Sequence, residues 1–78
     1  MPRSTESPDW VVARRRQLGE QIRAARMRAG LTQEAVAHRC QMERPNYNRI
    51  EQGHASATAD TLFLIADALG VPLAELVR

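Results

Sequence analysis

The sequence predicts an all-α fold of five short helices packed around one core. Three observations predict it. Apolar residues recur at three- and four-residue steps in several segments, and no segment alternates with the two-residue period of a strand. Glycines stand at 30, 53 and 70, each where an apolar stripe ends. The core must also come from Ala, Leu, Ile and Val, since Trp10, Tyr47 and Phe63 are the only aromatics.

Residues 1–8 (MPRSTESP) are polar and hold two prolines, which predicts a mobile arm ahead of a domain spanning 9–78. Asp9 is the expected cap of an extended first helix running through Trp10 to about Ala29. Leu18, Ile22, Ala25 and Ala29 form its buried stripe, and Gly30 stops it. Thr32 caps a second helix, about Gln33–Arg39, with Glu34 in the first turn where the helix dipole favours an acid. Met42 and Glu43 make a tight connection to a third helix, about Arg44–Gln52. Pro45 falls in its first turn, where a missing N–H costs little, and Gly53 closes it. After a loop over 54–57, Thr58 caps a fourth helix through Leu69, with Leu62, Ile65, Ala66 and Leu69 as its stripe. Gly70 ends that helix and Pro72 opens a fifth, to about Val77.

Composition excludes several classes of function. No apolar run approaches the ~20 residues of a membrane span, and the N-terminus lacks a signal-peptide pattern. Cys40 is a lone cysteine, best suited to core packing, so a disulfide and a cysteine-based zinc site are not expected. His38 and His54 lie in different elements without ligands at metal spacing. A nucleophile–base pair and a phosphate loop are missing as well, so neither an enzyme nor a cofactor is expected, and the chain reads as cytoplasmic. The net charge of +2 is unevenly spread. Seven arginines face three acids in residues 1–31, whereas Arg78 alone faces Asp60, Asp67 and Glu75 after residue 54. A basic front with an acidic back fits a nucleic-acid partner. Arg14, Arg15 and Arg16 point around a helix rather than to one side, which reads as solvation more than phosphate contact.

The stretch TQEAVAHRCQMERPNYNRIEQG, residues 32–53, carries the function. Two short helices crossing steeply need a small residue at the crossing, and Ala37 supplies it. Val36, Cys40, Met42, Tyr47 and Ile50 would pin them to the core. Arg44, Asn46, Asn48, Arg49 and Gln52 would face outward, and arginine and asparagine are the side chains that bond guanine and adenine edges.

With LGEQIRAARMRAGLTQEAVA, NRIEQG and LFLIADALGVPLAEL in place, residues 18–77 resemble the phage-repressor, Cro-type (XRE-like) helix-turn-helix domains. The resemblance implies a five-helix, lambda-repressor-like domain with the helix-turn-helix at helices 2 and 3. It implies a transcriptional regulator, a repressor or autoregulator, binding a palindromic operator as a homodimer through the major groove of double-stranded DNA. It implies phosphate contact and buttressing by Gln33, base or phosphate contact by Arg44, Pro45, Asn46 and Arg49, and a buried salt bridge between Arg26 and Glu51. Asn48 joins the DNA-facing set from its position on the third helix. Two departures stand out. Gln41 occupies a turn position usually held by glycine, where positive φ would cost about 1 kcal/mol, so a different backbone path is expected. Pro45 cannot donate a hydrogen bond, which shifts readout toward Arg44 and Arg49.

The run Leu62–Ile65 is broader than one core stripe needs, which makes Leu64, with Leu73, Leu76 and Val77, a candidate dimer surface. The alternative function is an antitoxin or adaptor whose main partner is a protein, engaged through the N-terminal helix at Trp10 and Val12.

Overall fold

A computed structural model describes residues 7–78, and the predicted arm therefore lies largely outside the described residues. Five helices follow in order: α1 (Asp9–Arg28), α2 (Gln33–Arg39), α3 (Arg44–Glu51), α4 (Ala59–Leu69) and α5 (Leu73–Val77). None of the described residues forms a strand. No described helix is long and apolar enough to cross a membrane.

The start of α1 differs from expectation. Pro8, extended at φ −56° and ψ 154°, is the cap, and its carbonyl accepts from Val11 and Val12 at 3.0 and 3.1 Å. Asp9 lies one residue inside, in the first turn, where its carboxylate faces the positive end of the helix dipole without a capping bond. Ala29 is the C-cap and is exposed, so the buried stripe stops at Ala25. Thr32 and Thr58 do cap α2 and α4, accepting from Ala35 and Thr61 at 3.0 and 3.1 Å.

All four helix–helix connections start from the same device. The N–H of Leu31, Met42, His54 and Val71 reaches back to the carbonyl of Arg26, Ala37, Arg49 and Ala66 respectively, at 3.2, 3.0, 2.8 and 3.1 Å. Such six-to-one closures need a left-handed residue just before the donor. Three of these residues are glycines, and the fourth is Gln41 at φ 58°. The expected detour in the turn is therefore absent. Closing the bond and seating Met42 against the core outweigh the cost of a left-handed glutamine. Gln41→Gly should raise stability by about 1 kcal/mol, read as a higher urea midpoint at unchanged slope.

The core is formed by Ile22, Ala25, Val36, Ala37, Cys40, Tyr47, Ile50, Ile65, Ala66, Leu69 and Leu76. Helix α1 lies across α3 and α5, α2 packs on α3 and α4, and α4 on α5. Leu76 is 0% exposed, so it cannot line a dimer surface, and Leu73 is half-buried against the same core. The five-residue α5 turns these leucines inward toward the other helices, leaving Val77 outside. Leu64 (49% exposed), Phe63 and Val77 remain at the surface.

Gly19 is a buried residue that sets the α1–α3 distance. A Cβ there would collide with the backbone carbonyl oxygen of Glu51 and lie 2.7 Å from that of Ile50. Alanine improves helix propensity by about 1 kcal/mol, but the obstruction is backbone and cannot rotate away. Gly19→Ala should therefore destabilise by about 2–3 kcal/mol in chemical denaturation, opposite in sign to propensity.

Candidate nucleic-acid interface

Helix α3 has two unlike faces. Tyr47, Ile50 and Glu51 are buried, whereas Arg44, Pro45, Asn46 and Arg49 are exposed, with Asn48 half-buried at the boundary. Gln52, the C-cap, is exposed as well. Gln33, at the start of α2, reaches Asn48 and so borders this surface. Beside α3, Asn46 and Arg49 line a shallow groove of about 220 Å³ with Ser56, Thr58 and Thr61 of the following loop and helix. The exposed groups are thus two cations, two amides and nearby hydroxyls, a set suited to phosphate oxygens and base edges.

Beneath this face lies a buried polar cluster that joins three helices. Arg26 of α1 forks onto Glu51 of α3, with Nε 2.7 Å from Oε2 and Nη2 3.2 Å from Oε1. Arg26 Nη1 also donates to the carbonyl of Leu31 at 3.0 Å. The Tyr47 hydroxyl donates to Glu51 Oε2 at 2.5 Å, and Gln33 Nε2 donates to Glu51 Oε1 at 3.0 Å. The same Gln33 nitrogen donates to Asn48 Oδ1 at 2.8 Å. The Arg26–Glu51 pair expected from the resemblance therefore stands in place, in a wider cluster than the sequence indicated.

Glu51 is 6% exposed yet stays ionised. Burial pushes its carboxyl upward, but bonds from Arg26, Tyr47 and Gln33 outweigh that and hold it below the usual range. The Tyr47 hydroxyl is pushed up by burial and by its bond to Glu51, so it remains a donor. The guanidinium of Arg26 is raised by its bond to Glu51. Because Glu51 has a depressed folded-state pKa, its contribution is complete above the unfolded value of about 4.5 and is lost as pH falls through the folded value. Stability of wild type should drop below about pH 4.5, and Glu51→Gln should flatten that part of the profile when unfolding is followed from pH 7 to pH 3.

The arginine triplet splits by role. Arg15 Nε donates to the Gly53 carbonyl and Nη1 to Ser56 Oγ, both at 3.1 Å, clamping the α3–α4 loop onto α1. Arg14 and Arg16 remain exposed, and the Cα of Arg16 approaches Gly53 so closely that a Cβ there would lie 2.7 Å away. Sequence reasoning missed Arg15 and Gly19. Nothing in three consecutive arginines singles out the second, but a glycine inside a helical pattern is a signal of close backbone approach. Cys40 is buried with its thiol pushed up by burial, in keeping with a packing role. Among the described residues, no group of three His, Cys, Asp or Glu could hold a metal ion. At the far end of α1, Trp10 is 69% exposed and borders a groove of about 410 Å³ between α1 and α5.

Comparison with known proteins agrees with this geometry. The helix-turn-helix family profile matches residues 22–76. The restriction-modification controller protein C.AhdI from Aeromonas hydrophila is similar, with 26% identity, a TM-score of 0.80, and coverage of 82% of this chain and 97% of its own. The DNA-binding domain of BldD shares 30% identity over 86% of this chain and 97% of its own, with a TM-score of 0.76. The hypothetical transcription factor NHTF from Neisseria shares 26% identity over 99% of this chain and 87% of its own, with a TM-score of 0.80. A comparison with curated protein sequences gives no significant match.

Proposed function

Since this chain belongs to the helix-turn-helix family, whose members are DNA-binding regulators rather than enzymes, we propose that it represses or autoregulates transcription by binding a palindromic operator as a homodimer. The observation that carries the reading is the polar outer face of α3, held rigidly over the Arg26–Glu51 cluster. Rigid support matters because base edges are read by hydrogen bonds that tolerate little misplacement. Arg44 and Arg49 are the side chains for bidentate contact with guanine, and Asn46 flanks them. Pro45 offers only apolar contact, as with a thymine methyl. Gln33 sits where α2 meets the same surface. A dimer would present two α3 helices about 34 Å apart to successive major grooves on one side of the duplex. Exposed Leu64 and Val77 are the remaining members of the expected dimer surface, joined by Phe63.

The experiment is a titration of duplex DNA at several salt concentrations, combined with sedimentation of the complex. Two chains per duplex site, with log affinity falling linearly against log salt, are expected, the slope counting neutralised phosphates. Absence of binding at low salt, or one chain per site, contradicts the reading. The rival reading, a protein partner at the N-terminal end of α1, has exposed Trp10 in its favour.

A further inference from the structure

The buried cluster fixes more than the position of α3. It also fixes which atom of Asn48 faces outward. Glu51 is surrounded by four donor contacts, two from Arg26, one from Tyr47 and one from Gln33. An ionised carboxylate only accepts, so the Gln33 amide must turn its NH₂ toward Glu51. That NH₂ has two hydrogens, and the second goes to Asn48. Asn48 must therefore turn its carbonyl oxygen inward to accept, leaving its own NH₂ on the other branch of the planar amide. The order runs without a free choice from Arg26 through Glu51 and Gln33 to Asn48. A free asparagine would bond adenine with both its oxygen and its nitrogen. Asn48, with its oxygen turned inward onto Gln33 at 2.8 Å, presents its NH₂ as the group available to a ligand.

We propose that Asn48 is a donor-only contact to DNA, recognising an acceptor atom, and that Gln33 is the positioning residue that sets this polarity. The proposal rests on the DNA-binding reading above. Two sources of acceptor share this chemistry: guanine N7 and O6, thymine O4 or adenine N7 in the major groove, and phosphate oxygens. The role of Gln33 follows from the same count. Both of its amide hydrogens are committed within the protein, so its side chain has no donor left for a phosphate.

The test uses binding-site selection and affinity on the selected operator with wild type, Asn48→Asp, Asn48→Ala and Gln33→Ala. Asn48→Asp keeps an oxygen for Gln33 and replaces the outward donor by an acceptor. Equal thermal unfolding of this variant and wild type verifies that the fold is retained. Its affinity should fall by roughly tenfold or more per contact. With a base-edge acceptor, preference at one symmetric position shifts from the acceptor-bearing base toward cytosine, whose N4 is a donor. With a phosphate acceptor, the loss is uniform across sequences and the salt slope falls. The base-edge shift supports donor-only polarity; a uniform loss supports it when Asn48→Ala, which adds no charge, also loses affinity, and Asn48→Ala binding like wild type overturns it. Gln33→Ala frees the Asn48 amide to flip, which should raise a base-edge preference for adenine, read through N6 and N7 together, or leave a phosphate contact with preference unchanged. A purely structural Gln33 would lower stability and leave the base preference where it was at a base-edge site. Asn48→Asp binding the wild-type operator within twofold and with unchanged preference overturns the inference while leaving operator binding intact. Failure of wild type to select any site overturns both.

Discussion

Arg26→Ala is expected to unfold the domain at room temperature or bring it to the edge of unfolding. The change leaves Glu51 as a buried carboxylate facing two neutral donors, Tyr47 and Gln33, with its cationic partner removed. Removing one member of a buried ion pair costs about 3–5 kcal/mol, largely because the remaining charge stays desolvated. A core in a chain of this length supplies only about 3–5 kcal/mol of net stability. The two quantities are equal within their spread, so the far-UV dichroism of the variant should be mostly lost or melt well below wild type. Arg26→Lys keeps the charge without the fork and should fall between the two. An Arg26→Ala variant within about 0.5 kcal/mol of wild type would mean that the cluster does not tie α1 to α3.

Arg49→Ala should leave the fold intact and remove a large part of operator affinity. Arg49 is exposed and makes no intramolecular side-chain bond among the described contacts, so truncation leaves no buried group orphaned. A bidentate arginine–guanine contact contributes about 1–3 kcal/mol of discrimination. In a dimer it occurs twice, which gives about 2–6 kcal/mol, or from roughly thirtyfold to about 10⁴-fold in affinity. The loss should be confined to one symmetric base pair of the site, measured by competition with single-position operator variants. A uniform loss over all sequences would assign Arg49 to phosphate instead.

The chain announces its helices because their boundaries are set by neighbouring residues. Thr32 and Thr58 cap with their own side chains, and Gly30, Gly53 and Gly70 adopt the left-handed conformation that ends a helix. Departures arise where distant residues decide. Gln41 obeys the closure onto Ala37 and the seat of Met42, and its own preference loses. Leu76 looks like surface on a short terminal helix until α1 is laid across it. Asp9 resembles a cap, but the extended Pro8 before it takes the position.

The candidate site was legible to a similar depth. Exposure of Arg44, Asn46 and Arg49 follows from the apolar positions Tyr47 and Ile50 on the same helix. The joining of Arg26 to Glu51 across 25 residues needed the family resemblance, since no local rule pairs them. The turn of the Asn48 amide is beyond both, because it depends on donors arriving from α1, α2 and α3 at once. The clamp of Arg15 on Gly53 and Ser56 is a meeting of residues about forty positions apart and has no signature in the triplet.

Sequence-specific readout through α3 by a symmetric pair of chains leaves a signature in the DNA it selects. Selection of binding sites from random duplex DNA with the wild-type protein tests it most directly. The expected result is an enriched inverted repeat with half-site centres about one helical turn apart and a guanine at a symmetric position that Arg49→Ala no longer selects. Enrichment of no sequence at low salt, or of a single asymmetric site unaffected by Arg49→Ala, would contradict it.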